Sequence, residues 1–274
     1  MAWVNGALQN LFHFLFWPFR GLSPWVAMIL ISVLTGLFLL AIYRWVSDQE
    51  GIKKTKDKIK AHLLELRLFS DDLVTSFRTQ GNLLYWNLRY FLHALRPLAV
   101  MIIPLVFLLS HLNLWFAYKP LSPGETTILK VKLKEGYNPL ELSIRLNQSE
   151  GYQIETPALR IEPAREINWR LRALKPGRFN IIINLDGQKI TKEMVVGETS
   201  VVRLSSVRPS SGLFAQLLSP GEAPLAASPI KEISLVYPSR RMNFLGWKLH
   251  WLIVYFVLSV VAGFALKKPL KVEI

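Results

Sequence analysis

The sequence predicts an α-helical membrane protein with three transmembrane helices, a cytoplasmic helical hairpin between the first two, and an extracytoplasmic β-sandwich-like domain inserted before the third. Three observations predict it. Residues 22–43 (LSPWVAMILISVLTGLFLLAIY), 98–118 (LAVMIIPLVFLLSHLNLWFAY) and 249–266 (LHWLIVYFVLSVVAGFAL) contain no Asp, Glu, Lys or Arg. At about 1.5 Å per residue such windows form helices of roughly 27–33 Å, close to a hydrocarbon core of about 30 Å. Residues 44–97 then repeat apolar side chains at helical spacing, whereas 119–246 alternate them as strands do.

Residues 1–21 come first. Val4, Leu8, Leu11 and Leu15 fall near one face, with Asn5, Gln9 and His13 elsewhere, and Pro18 stops the helix. This pattern fits an interfacial amphipathic helix lying flat before the first span, with His13 at headgroup level. The first basic residue is Arg20, so no charged leader precedes an apolar stretch and a cleavable signal peptide is not expected.

The three apolar windows lack the polar stripe that a soluble core helix keeps. Trp25, Tyr43, Trp45, Trp115, Tyr118, Trp247 and Trp251 sit at their edges, as at membrane interfaces. The spans are therefore placed at 22–43, 98–118 and 247–266. Basic residues near the span ends, together with Lys267, Lys268 and Lys271 of the 267–274 tail, place 44–97 and the tail in the cytoplasm. The N-terminus and residues 119–246 are then outside. Absence of cysteine and of a retention signal favours a prokaryotic plasma (inner) membrane.

In 44–97, Ile52, Ile59, Leu63, Leu66, Phe69, Leu73 and Phe77 make one apolar seam, and Leu84, Leu88, Phe91 and Leu95 make another. Arg78, Asn82, Tyr85, Arg89, His93 and Arg96 oppose the second seam. Both ends join spans on one side, so the segment returns as an antiparallel coiled-coil hairpin. It turns at Ser70-Asp71-Asp72 near its midpoint, or else at Gln80-Gly81-Asn82. Lys53, Lys54, Lys56, Lys58 and Lys60, with Arg78 and Arg89, make a basic face that is either simply solvated or directed at anionic lipid or ribosomal RNA.

In 119–246, Thr127 to Leu133, Leu140 to Leu146, Ile167 to Leu171 and Phe179 to Leu185 alternate. Asp186-Gly187 signals a type I′ hairpin into a strand over 190–196. Residues 209–229 turn rich in Pro, Ser, Ala and Gly, a linker or irregular excursion, and 233–237 make a last strand. Short strands at this spacing suggest a small sandwich.

No cluster with catalytic roles assembles, and no enzyme activity or cofactor is expected. The chain has no cysteine, which excludes disulfides, thiolate metal sites and cysteine nucleophiles. No histidine has a partner at metal-ligand spacing, and no metal site is expected. The net charge of +14 points to anionic partners. Inside the spans, Ser32, Thr35, Ser110, His111, Asn113, Tyr255 and Ser259 need partners, and Arg44 ends the first span. They either bond between helices of a tight bundle or line a wet groove in an open one. Pro104 would help such an opening by kinking the second span.

The order of parts, and in particular LSPWVAMILISVLTGLFLLAIYRW, KKTKDKIKAHLLELRL and LRPLAVMIIPLVFLLSHL, resembles the YidC/Oxa/Alb superfamily of membrane insertases. It looks most like the three-span type, such as the third subunit of the ER membrane protein complex. The resemblance covers residues 11–118 and extends to the third span by position. It implies an insertase or intramembrane chaperone-like role, with Ser32, Thr35, Arg44, Ser110, His111, Asn113 and Ser259 lining a groove for client segments. Its implied partners are the lipid bilayer, client membrane proteins or nascent chains, and the ribosome. A contrasting expectation, from the size of the inserted domain, is a structural or sensory subunit whose β-domain binds a protein partner.

Overall fold

The computed structural model describes residues 6, 10–14, 16–17, 23–69, 71–197, 201–226, 228–267 and 269. They form two compact units, one of Met28–Leu105 with Tyr255–Ile274 and one of Met1–Ala27 with Val106–Val254.

The first unit is helical. Helix α1 (Pro24–Val46) opens with proline at its first position, where no amide is needed, after Ser23, whose carbonyl accepts the Val26 amide at 3.1 Å. Asp48 caps α2 (Gln49–Leu68), its carboxylate accepting the Gly51 amide at 2.9 Å. Asp72 starts α3 (Leu73–Phe116), accepting the Val74 amide at 3.0 Å and the Thr75 hydroxyl. The α2–α3 turn thus falls at the expected midpoint, of which Ser70 lies outside the described residues, while Gln80-Gly81-Asn82 is inside α3. The arms run antiparallel, with His93 3.7 Å from Asp48 and the Lys56 ammonium 6.0 Å from the Tyr90 ring centre.

Helix α3 runs through Pro97 and Pro104 as one helix of 44 residues, about 66 Å long, so the second hairpin arm and the second apolar window share one element. One expectation needs correction: the second seam faces the wrong way for packing. Thr79 and Pro97 are buried and Leu83, Trp86, Tyr90 and His93 half-buried, whereas Leu84, Leu88, Phe91 and Leu95 are exposed. Helix α3 carries more than one apolar stripe, and periodicity finds stripes without saying which one meets α2.

Helices α1 and α3 are long and apolar enough to cross a membrane. Their apolar side chains, among them Ile29, Leu34, Phe38, Ile102 and Ile103, are largely exposed, as suits a lipid solvent. Helix α5 (Trp251–Leu266) is apolar but has 16 residues, about 24 Å. It is shorter than the expected 247–266 because Trp247–His250 are strand. Backbones come together at Gly36 of α1, where an added Cβ would lie 2.9 Å from the Ser259 carbonyl oxygen and 3.4 Å from Ala262 Cβ.

The second unit is β-rich. One sheet has the order β3-β5-β1-β9-β8, from β1 (Thr126–Leu133), β3 (Tyr152–Ile154), β5 (Glu166–Ala173), β8 (Val207–Pro209) and β9 (Ile230–Leu235), with β4 (Leu159–Ile161) also on β5. The other is β2-β6-β7, from β2 (Ile144–Leu146), β6 (Gly177–Leu185) and β7 (Gln188–Val196). All pairings are antiparallel. Alternation sends Leu129, Val131, Leu133, Ile167, Trp169 and Leu171 from one sheet and Ile181, Ile183, Leu185, Met194 and Val196 from the other into a shared core. The β6–β7 turn has Asp186 and Gly187 at φ 46° and 85°, the expected type I′ geometry.

Only Ile144–Leu146 of the expected 140–146 strand forms, and Leu140 is exposed. Residues 209–229 are an excursion packed on the domain and not a free linker. They include the short helix α4 (Leu213–Leu218), a bridge from Ser210 to Leu225, and a buried Leu225. A separate hairpin of β10 (Arg241–Phe244) and β11 (Trp247–His250) leads straight into α5.

The N-terminal segment belongs to the β-rich unit and is helical over residues 10–14. Leu11 of the expected apolar face is exposed, and Val4, Leu8 and Leu15 lie outside the described residues. The buried side chains are instead Phe12, stacked 5.5 Å from His111, and Phe16, 4.7 Å from Trp115.

Candidate functional site

The polar residues of the spans divide between the two units. Ser32, Thr35, Arg44 and Ser259 belong to the helical unit, and Ser110, His111 and Asn113 to the β-rich one. Most of them bond to their own helix. The Thr35 hydroxyl donates to the Ile31 carbonyl at 2.6 Å, Ser259 to Phe256 at 3.0 Å, and Ser110 to Phe107 at 2.8 Å. His111 Nδ1 lies 2.9 Å from the same Phe107 carbonyl oxygen and is fully buried. Back-bonding to a carbonyl three or four residues earlier satisfies a polar group in an apolar helix without water. Ser32 Oγ differs, being buried with no hydrogen-bond partner. Arg44 is exposed at the end of α1 and Asn113 is half-buried.

The hairpin presents a more extensive surface. Lys53, Lys54, Lys58, Lys60, Arg78 and Arg89 are exposed, with Lys54 3.7 Å from Glu50 and Arg89 over the Trp86 ring at 5.5 Å. Lys56 is half-buried. On the side of α3 that does not pack on α2 lies an apolar face. Phe77, Leu84, Leu88, Phe91, Leu95, Leu98, Ile102 and Ile103 are all exposed, from 38% at Leu95 to 73% at Leu84. Those 26 residue steps (103 − 77) make a stripe about 39 Å long that starts on the hairpin and ends in the apolar half of α3. At the hairpin tip Leu64, Leu68, Phe69, Leu73 and Val74 are exposed as well. Contiguous exposed apolar surface of this kind marks a protein–protein or membrane interaction site.

The β-domain holds a charged cluster that its sequence did not announce. Lys192 of β7 is fully buried, and its ammonium pairs with Glu222 and donates to the Ser205 carbonyl at 2.6 Å. Glu222 also accepts the Glu193 amide at 3.0 Å, and the Tyr237 hydroxyl accepts the Val195 amide at 3.0 Å. Arg208 reaches the Thr191 carbonyl and hydroxyl. Burial pushes Lys192 below its ordinary pKa against the pull of Glu222, and desolvation likewise lowers Arg203. These groups satisfy the outer edge of β7, which would otherwise offer unpaired backbone to another strand. The signal was parity: Lys192 shares its side of the strand with Ile190, Met194 and Val196. A small pocket of about 130 Å³ opens beside this edge, lined in part by Gln188, Thr191, Arg208 and Ser228.

Among the described residues no group of three His, Asp or Glu side chains could hold a metal ion. Compared with known proteins, the chain matches no family model, no curated protein and no solved structure.

Proposed function

We propose that the protein is a membrane insertase or intramembrane chaperone-like protein of the YidC/Oxa/Alb kind, which takes apolar client segments on its hairpin and passes them along α3 into lipid. The observation that carries this reading is the continuous exposed stripe from Phe77 to Ile103 on one unbroken helix. A client helix leaving water needs apolar contact at every depth, and the stripe supplies it from the hairpin to the bilayer core. The neighbouring lysines would draw the hairpin to anionic headgroups, nascent chains or ribosomal RNA. In this reading α1, α3 and α5 all span a prokaryotic plasma membrane, with the hairpin in the cytoplasm and the β-domain outside. On this account Thr35, Ser110, His111 and Ser259 are satisfied by their own helices, and Ser32 remains as a buried polar position available to a client.

A photo-cross-linking residue at Leu88 or Leu95, present while small membrane proteins are synthesised into vesicles, should capture them; one at Lys58 should capture far fewer. Absence of capture at both stripe positions, with client insertion unchanged on depletion of the protein, rejects the reading.

One observation favours the alternative of a structural or sensory subunit. Helix α4 buries none of its residues and exposes Leu213, Phe214 (81%) and Leu218 on the β-domain, a patch suited to a protein partner. Deleting 122–239 separates the two, because an insertase core retains client capture and a binding subunit loses its role.

A further inference from the structure

The two tight hairpins of the β-rich unit share a backbone and differ in chemistry. The β6–β7 turn has Asp186 and Gly187 at φ 46° and 85°; the β10–β11 turn has Leu245 and Gly246 at φ 50° and 87°. Such turns favour Asn, Asp or Gly at the first position, because Cβ there crowds the residue's own carbonyl, a cost that Gly escapes and that Asn and Asp offset by local hydrogen bonds. Asp186 obeys this preference and Leu245 does not. Leu245 also gains nothing from the protein in return, since it is 87% exposed, and Trp247 beside it is 73% exposed. In water both the strained backbone and the exposed side chains are unfavourable.

The place of the hairpin supplies the missing solvent. Its base runs without a linker into α5 at Trp251, and its tip is held at the start of α1, where Phe244 stacks on Trp25 at 6.0 Å. Both ends are therefore fixed where an apolar helix begins. Its two faces are sorted accordingly. On one side Met242 is buried, Phe244 and Leu249 are half-buried and Trp247 is exposed, whereas the pairs Arg241–His250 and Asn243–Lys248 lie exposed on the other. Tryptophan and basic residues side by side are the composition of a membrane interface. Helix α5, at about 24 Å, is also short for a bilayer of about 30 Å, and an anchor at its entrance would draw the surface toward it.

We infer that the β10–β11 hairpin lies flat in the headgroup layer where α1 and α5 begin, with Leu245 and Trp247 buried in lipid and Arg241 and Lys248 directed at phosphates. The inference rests on the reading of α5 as a span.

The chain has no cysteine, so single thiols can carry an environment-sensitive nitrobenzoxadiazole label at Leu245→Cys, Trp247→Cys, Asp186→Cys and Val257→Cys. The full-length protein is reconstituted in vesicles of phosphatidylcholine and phosphatidylglycerol. Labels at 245 and 247 are expected to emit to the blue of the 186 label and to be quenched by lipids bearing a nitroxide near the carbonyls. The 186 label responds to aqueous iodide, and the 257 label to a nitroxide deep in the acyl chains. If 245 and 247 respond to iodide as 186 does while 257 stays in lipid, the hairpin inference falls and the span stands. If 257 also responds to iodide, α5 is not in lipid and both fall. Reading two adjacent tip positions guards against one label disturbing the turn.

Discussion

The two units of the molecule treat the same residue types in opposite ways. In the β-rich unit, Leu129, Val131, Leu133, Ile181 and Ile183 point inward and are lost to solvent almost completely. In the helical unit, Leu88, Leu98, Ile102 and Ile103 point outward. A domain folded in water gains by removing apolar surface from it, at roughly 25 cal/mol per Å². A helix surrounded by lipid has no such gain and leaves its apolar faces out. The buried apolar residues of the β-rich unit follow the first rule, and the exposed ones on α1 and α3 are those of helices long and apolar enough for the second.

The largest expected effect comes where the β-rich unit departs from the first rule most sharply, at Lys192, a charge buried at the edge of its core. Glu222→Ala leaves the Lys192 ammonium without its counter-charge, and unfolding of the β-domain should become easier by about 3–5 kcal/mol. Adding Lys192→Met should recover much of that loss in the same denaturation experiment, because the cost lies in the unpaired charge. An unchanged denaturation midpoint for the single variant would mean that Lys192 is not buried.

The next contrast compares like with like. Leu129→Ala should cost about 2–5 kcal/mol by deleting core contacts. Ile103→Ala, an apolar truncation of similar size on an exposed face, should change stability in vesicles by no more than about 0.5 kcal/mol. Equal losses at the two positions would place Ile103 in a packed core and remove the distinction between the units.

The smallest effect lies at the hairpin turn, the aqueous end of the helical unit. The Thr75 hydroxyl and backbone amides hold the Asp72 carboxyl below its ordinary value of 3.8. A group with a depressed folded pKa stabilises above its unfolded value and loses that contribution as pH falls through the folded one. Protection of the amides at the start of α3, taken relative to intrinsic exchange at each pH, should therefore fall below about pH 4, and in Asp72→Ala it should already be low and insensitive to pH over this range. Protection that stays constant in the native chain across this range would show that Asp72 does not cap α3.

Much of this was legible in the sequence where a period was clean. Charge-free windows located α1 and the second half of α3, and Asp186-Gly187 located a hairpin to the residue. The packed face of α3 was not legible, because several of its faces are apolar and only the position of α2 chooses among them. Neither Pro97 nor Pro104 ends the helix, which continues through both. The second strand of the β10–β11 hairpin was hidden at the start of the span placed at 247–266, since Trp247 to His250 are as compatible with a span as with a strand. The polar span residues were expected either to bond between helices or to line a groove; back-bonding within one helix, which Thr35, Ser110 and Ser259 make, is a local alternative that sequence spacing does not reveal. Glu222 was invisible because its partner is 30 residues away across an excursion whose composition reads as a linker.

The spanning of α1 and α3 is tested most directly by single thiols at Asp186 and Asp71 and an impermeant maleimide applied to intact cells. Two crossings that bracket the hairpin put these positions on opposite sides, so the Asp186→Cys protein labels and the Asp71→Cys protein labels only after the membrane is opened. Equal labelling of both proteins in intact cells would mean that α1 and α3 do not cross the bilayer, and the stripe from Phe77 to Ile103 would need another explanation.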